Sequence, residues 1–294
     1  MTTTAWVFPG QGSQKIGMVA DLAEIPAAQA KLKQTEEILE WSILEICQND
    51  ADKLSRTRYT QPCLYAIEAI LVDLLQEAGQ TSQYLAGHSL GEYVALYAAG
   101  VYDFAAGLRL VKRRGELMDE AEGGKMYALM GFDRDQLQGE IDKTDNVVLA
   151  NDNSDGQVVI SGTPEAVETV VTAVKTKRAV ELNVSGAFHS HLMKPASAQF
   201  NEILEEIAFN EAKIPVLSNV EPVPTTDGKA LKARLQKQMT GSVRWREIMD
   251  AIAAHQVEAI VEVGPGKVLA GLFKRAHSKI ARSNIDSLAA LEKR

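Results

Sequence analysis

Cysteine is scarce: Cys47 and Cys63 are the only two in 294 residues, and neither has another Cys or a His at a metal-ligand spacing. That excludes a disulfide framework and a zinc motif, and a reducing cytoplasm is the simplest setting. A basic excess is missing as well. With a formal net charge of −8, a nucleic-acid backbone would be repelled on average, so nucleic acid is not expected as a partner. Long apolar runs are absent, and the opening "MTTTAWVFPGQ" lacks the basic flank of an export signal. The expectation is a soluble, cytoplasmic protein with no membrane association. No internal repeat or low-complexity tract is visible, and a hydrophobic share of 46% is that of an ordinary globular chain.

What is present is an α/β pattern. "AWVF" reads as a buried strand ended by Pro9 and Gly10, and helical periodicity follows to about Gly79. "QYLAGHSLGEYVALYAAG" reads as a short strand, a tight turn at Ser89, and a helix from about Leu90 to Ala99. Asp103 is a helix cap for "FAAGLRLVKRRGELMDEA". From Lys125 the rhythm becomes strand, helix, strand, strand, helix, strand, the order of a ferredoxin-like unit. The predicted organisation is a discontinuous core, residues 1–124 and 188–294, with a ferredoxin-like subdomain at 125–187 inserted into it. The core then continues through helical "MKPASAQFNEILEEIA", strand-like "IPVLSNV" and a last strand "AIVEVG".

The glycines of "VFPGQGSQ" suggest a phosphate cradle and fail both tests for one. Gly10, Gly12 and Gly17 do not give G-x-G-x-x-G, and the span from Gly12 to Gly17 is followed by Met18 where a P-loop needs lysine. A strand-to-loop transition with exposed backbone N–H groups remains, beginning at about Gln11. In an acyl-transfer site such donors form half of an oxyanion hole, and Leu90, the residue after the nucleophile, supplies the other half.

The nucleophile itself is Ser89. Gly87-His88-Ser89-Leu90-Gly91 fits G-x-S-x-G, and the strand before it and helix after it are the context that motif requires. A serine hydroxyl needs a base, and only five histidines exist. His255 and His277 lie in polar helical stretches; His88 sits across the tight turn, where packing is its simpler role. His189 and His191, in "SGAFHSHLM", lie at the seam between the two units, and the residues alone leave both open. Among the basic residues of the helix after the nucleophile, Arg114 is distinct: its neighbours at helical spacing are Leu110, Val111, Leu117 and Met118. It therefore points inward. An inward guanidinium has two readings, a core salt bridge or a clamp for a substrate carboxylate.

Taken together, "FPGQGSQ", "AGHSLGEY", "RRGELM", "GQVVISG", "SGAFHSHLM" and "VEVGPGKVL" occur in the order seen in malonyl-CoA:acyl carrier protein transacylases, and the resemblance spans nearly the whole chain. It implies an α/β-hydrolase-like core with a ferredoxin-like insertion. It implies Ser89 and His189 as the catalytic dyad, Gln11 and Leu90 as the oxyanion-hole backbones, and Arg114 as the residue holding the free malonyl carboxylate. Gln238, in "QMTGSVRW", aligns with a glutamine whose backbone carbonyl orients the histidine; Ser242 stands where the family usually has proline. Phe188 and Leu90 resemble the pattern of members that select malonyl over methylmalonyl groups. The implied substrate is malonyl-CoA, the implied partner an acyl carrier protein for fatty acid synthesis, and the expected state a monomer with no cofactor and no metal. The stretch Val263–Ile285 carries Lys267, Lys274, Arg275, Lys279 and Arg282 and no acid. It is either an ordinary basic helix end or a surface for the carrier or the CoA phosphates.

Two other functions share these residues: a malonyl transferase of a polyketide pathway, and a serine esterase or thioesterase. A non-catalytic carrier-binding module is a third, but it has no use for a Ser-His pair. An ordinary hydrolase of this design places serine, then an acid, then a late histidine, and a neutral ester gives an inward arginine nothing to hold.

Overall fold

A computed structural model describes residues 2–18 and 20–292, so the outer limits expected for the core, residues 1 and 294, lie outside the described residues. In chain order the first half comprises strand β1 (Thr4–Phe8), helices α1 (Pro26–Leu39), α2 (Ile43–Asn49), α3 (Ala51–Ser55) and α4 (Thr57–Glu77), strand β2 (Tyr84–Gly87), and helices α5 (Gly91–Ala98) and α6 (Phe104–Asp119). Next come β3 (Lys125–Phe132), α7 (Arg134–Lys143), β4 (Val147–Ser154), β5 (Gln157–Gly162), α8 (Pro164–Ala173) and β6 (Thr176–Glu181). The chain continues through α9 (Lys194–Glu206), β7 (Val216–Leu217), α10 (Gly228–Gln238), α11 (Trp245–Ala254), β8 (Ala259–Val263), α12 (Val268–Ala276), β9 (Ala281–Ile285) and α13 (Leu288–Leu291).

The larger sheet has the order β7-β2-β1-β8-β9 with every pairing parallel. A parallel sheet covered on both faces needs apolar residues on both sides of each strand, and β1 shows why "AWVF" does this. Trp6 and Phe8 enter the cluster packed by α4, α5 and α6, while Ala5 and Val7 enter the opposite one with Trp245, Ile248 and Phe273 of α11 and α12. Side chains alternate along a strand, so one short run serves two cores. Asp103 caps α6, accepting from the Ala106 N–H at 2.7 Å.

The smaller sheet is antiparallel, with order β4-β5-β3-β6. Its strands alternate in the same manner: Leu129, Val158 and Ile160 pack under α7 and α8, whereas Ala128 and Val159 join the larger core. This unit leaves and rejoins the core at one place, for a Cβ on Gly124 would lie 2.1 Å from the Ala187 nitrogen. A second attachment lies elsewhere. Val243 donates to the Ala150 carbonyl at 2.8 Å and accepts from the Asp152 N–H at 2.9 Å, and Arg246 of α11 pairs with the Asp152 carboxylate at 3.0 Å.

Two expectations need adjustment. The sheet does not end at "AIVEVG"; β9 pairs beside β8, and its sequence ARSNI hides it because an edge strand buries only Ile285. "IPVLSNV" supplies only the two-residue β7, since from Ser218 onward the chain turns toward the site described next.

Candidate active site

The site forms where β1 and β2 end. β2 stops at Gly87, α5 begins at Gly91, and Ser89 between them adopts a left-handed backbone with φ 52°. A non-glycine residue there costs on the order of 1–3 kcal/mol and persists only if its surroundings enforce it. The enforcement is close packing. A Cβ on Gly91 would lie 2.1 Å from the Phe8 carbonyl oxygen, and one on Gly87 would lie 1.9 Å from the Gly91 carbonyl carbon. Asn219, just past β7, braces the same turn: its Oδ1 accepts from the Ser89 N–H at 2.7 Å, and its Nδ2 donates to the Gly87 carbonyl at 2.6 Å.

The Ser89 hydroxyl meets two side chains. Oγ lies 2.8 Å from His189 Nε2 and 3.0 Å from Arg114 Nη2. His189 also has a left-handed backbone, φ 58°, and is 4% exposed. Its Nδ1 lies 3.0 Å from the Gln238 carbonyl and 3.2 Å from that of Gly241. Both partners are acceptors, so Nδ1 carries the proton and Nε2 is left with a lone pair facing Ser89. The Gln238 carbonyl is available because α10 ends there, and the last carbonyls of a helix have no partner within it. Burial, and next the Arg114 charge, push the His189 imidazole down to about 3. It is thus a neutral base over the whole physiological range.

Arg114 is fully buried on α6. Nη1 donates to Gln61 Oε1 at 2.7 Å, Nη2 donates to Gln238 Oε1 at 3.1 Å, and the guanidinium carbon stands 5.3 Å from the Tyr93 ring centroid. Among the described residues no carboxylate lies within ion-pair distance of it. The salt-bridge reading of this residue therefore has no partner here, and the charge is held by amide oxygens and a π face.

Gln11 lies in the loop after β1, and Leu90 follows Ser89 in the turn after β2. Among the described residues neither backbone N–H donates a hydrogen bond, although Gln11 Nε2 donates to Thr57 Oγ1 at 3.1 Å. A cleft of about 190 Å³ opens between the two sheets, lined by Gln11, His88, Asn151, Asn153, Gln157 and Leu269. A larger cavity of about 470 Å³ shares Gln157 and includes Arg275 in its wall. Of the basic residues in the late stretch, Arg275 thus reaches a concave surface, with Nη2 donating to Gln157 Oε1 at 3.3 Å.

The remaining histidines are elsewhere engaged. His191 Nε2 lies 3.1 Å from Asn146 Oδ1, His88 Nε2 2.8 Å from Asn153 Oδ1, and His277 Nε2 2.9 Å from Asp250 Oδ1. His255 Nδ1 lies 2.8 Å from the Ala251 carbonyl. Phe188 is buried beside His189 in the same apolar cluster as Leu90. Sequence reasoning missed three site residues: Gln61, Glu92 and Asn219. The signal that could have found them is a polar residue in or next to an apolar run, which asks what the group bonds to. Among the described residues no cluster of three or more His, Cys, Asp or Glu could hold a metal ion, and no helix is long and apolar enough to cross a membrane.

Comparison with known proteins adds a consistent set of relatives. The family model described as an acyl transferase domain matches residues 5–292. The malonyl CoA-acyl carrier protein transacylase of Synechocystis sp. PCC 6803 is 56% identical over 285 residues, covering 97% of each chain. The crystal structure of a malonyl-CoA:ACP transacylase from Synechocystis sp. PCC 6803 superposes with a TM-score of 0.98 at 55% identity, covering 99% of this chain and 100% of that one. A type II polyketide synthase acyl carrier protein in complex with its malonyl-transacylase gives 0.94 at 37% identity, with 99% and 98% covered.

Proposed function

Because the chain belongs to the acyl transferase family, we propose that it transfers a malonyl group from malonyl-CoA to the phosphopantetheine thiol of an acyl carrier protein. One observation carries the reading: Ser89 Oγ lies 2.8 Å from a buried imidazole and 3.0 Å from a buried guanidinium that has no carboxylate partner among the described residues. A nucleophile beside an unneutralised charge suits an acyl group that ends in a carboxylate. The named activity of the relatives from Synechocystis supports it.

We read the mechanism as a ping-pong exchange, a reading supported by the contacts of Ser89 with His189 and Arg114. Ser89 gives its proton to His189 Nε2 as Oγ attacks the thioester carbon, and the oxyanion takes hydrogen bonds from the Gln11 and Leu90 N–H groups. The tetrahedral intermediate collapses, the C–S bond breaks, and the departing CoA sulfur receives the proton from His189. A malonyl ester on Ser89 remains, with its free carboxylate one methylene from the acyl carbon, within reach of Arg114. The carrier thiol then loses its proton to His189, attacks the ester, and Ser89 regains its hydrogen. Every bond broken is matched by one formed, and the steps as proposed are carried by the chain's own groups without a cofactor or metal.

We read residues 1–124 and 188–294 as an α/β-hydrolase-like core and 125–187 as a ferredoxin-like subdomain; the β-α-β-β-α-β order and antiparallel β4-β5-β3-β6 sheet support this. Phe188 narrows the acyl side of the site against an α-methyl branch, and Gln238 positions His189. The protein acts as a cytoplasmic monomer in fatty acid synthesis, and the Arg275 surface receives the acidic carrier or the CoA phosphates. The polyketide-carrier relative favours a second reading, a polyketide carrier as acceptor, which offering the purified enzyme both carrier types would separate. The primary test is intact-protein mass spectrometry after mixing with malonyl-CoA. A malonyl adduct absent from Ser89→Ala is expected; no adduct on the parent protein would sink the transferase.

A further inference from the structure

We infer that Glu92 is a positioning residue that sets the malonyl preference of the site by fixing which way the Gln238 amide faces; the inference rests on the reading of Arg114 as the carboxylate clamp. Glu92 lies in the first turn of α5, is 1% exposed, and does not touch Ser89 Oγ or Arg114 through any hydrogen bond. Its Oε2 instead accepts twice: from Gln238 Nε2 at 2.7 Å and from the Asn219 N–H at 3.2 Å.

The first of these bonds decides an orientation. A glutamine amide has one donor end and one acceptor end, and the two are nearly the same shape. Gln238 spans three groups: Nε2 donates to Glu92 Oε2 and to the Ser89 carbonyl at 2.9 Å, while Oε1 accepts from Arg114 Nη2. A flipped amide would turn its NH₂ toward the guanidinium, donor against donor, and its oxygen toward the Ser89 carbonyl and the Glu92 oxygen, acceptor against acceptors. The Ser89 carbonyl and Glu92 hold the amide in the productive sense, and Glu92 is the side chain among them. Arg114 then keeps an oxygen on each arm, Gln61 on Nη1 and Gln238 on Nη2, which aligns its fork. The second bond joins the same carboxylate to Asn219, the residue that braces the Ser89 turn. One buried carboxylate thereby sets the register between clamp and nucleophile. Burial raises the Glu92 carboxyl above its ordinary value and the Gln238 amide opposes this, as expected for a group whose role is to accept in a dry pocket.

The test compares two variants in loading assays with malonyl-CoA and acetyl-CoA, read by intact mass. Glu92→Gln can keep an oxygen at the Oε2 position, so its malonyl-to-acetyl ratio of kcat/KM should stay within about threefold of the parent's. Glu92→Asp withdraws the acceptor by one methylene, so KM for malonyl-CoA should rise about tenfold while acetyl loading changes by less than about threefold. Equal losses on both substrates in Glu92→Asp, or no loss on either, would overturn the inference, since a merely structural carboxylate has no reason to distinguish the two. A collapse of the ratio in Glu92→Gln would overturn it as well, because charge rather than amide orientation would then be responsible. Failure of the parent protein to take up malonyl at all would instead refute the underlying transferase reading.

Discussion

Replacing Arg114 by alanine is the perturbation that most directly separates a substrate clamp from a core residue. Two effects follow, and they divide differently between substrates. Gln61 Oε1 and Gln238 Oε1, at 2.7 and 3.1 Å, lose their donor; stranding buried acceptors costs about 1–3 kcal/mol each, and this burden falls on every substrate alike. A malonyl carboxylate additionally enters a buried pocket with no counter-charge, which costs about 3–5 kcal/mol. At roughly 1.4 kcal/mol per decade, the malonyl-specific part is on the order of a 10²- to nearly 10⁴-fold loss in kcat/KM. Acetyl-CoA has no carboxylate and escapes it. The assay is rapid-quench intact-mass loading with each thioester at several concentrations, alongside thermal melts to establish that the variant is folded. The malonyl-to-acetyl ratio should fall about 10²-fold or more. An unchanged ratio with both rates reduced would falsify the clamp and return Arg114 to a packing role.

His189→Ala should abolish malonyl loading, while His191→Ala, whose ring bonds Asn146 at the surface, should load at nearly the parent rate; the reverse pattern by intact mass would overturn the dyad. Because the folded imidazole of His189 is held near a pKa of about 3, its base form persists, and loading by the free enzyme should stay flat from about pH 8 to about pH 5. An acid limb at the ordinary histidine value of about 6.5 in kcat/KM would contradict this. The same shift has a stability sign: below about pH 6.5 the unfolded chain takes a proton that the folded chain refuses, so stability is lost as pH falls from there toward about 3. His189→Gln should flatten that part of the melting-temperature profile, leaving the contribution of His88, which burial also holds low. Gly91→Ala forces a Cβ to 2.1 Å from the Phe8 carbonyl oxygen and should lower both melting temperature and loading sharply; a well-folded, active variant would show that the turn can relax.

Much of the site was legible because it obeys periodic rules. The glycines around Ser89 announce a sharp turn, and the apolar neighbours of Arg114 at helical spacing place it inside, where it is found with no exposed surface. His189 and His191 are different. They sit two residues apart in an irregular segment, and what distinguishes them is contact with the end of α10, nearly fifty residues later in the chain, to which no local pattern points. Glu92, Gln61 and Asn219 share that difficulty. Their roles depend on which tertiary partner each amide or carboxylate meets, and a hydrophobic pattern registers them only as interruptions. The fold shows the same contrast: β1, buried on both faces, was plain, while β9 was hidden by polar residues along the sheet edge.

The attachment of the small sheet has a mechanical consequence. It is fastened once at the Gly124–Ala187 crossing and again where Val243 sits between Ala150 and Asp152. The same unit also meets the core through the His88–Asn153 and Arg275–Gln157 hydrogen bonds and through Ala128 and Val159, which pack in the larger apolar cluster. Ties spread over that many places oppose hinging about any one of them, so the cleft between the sheets is a preset shape that a substrate must match.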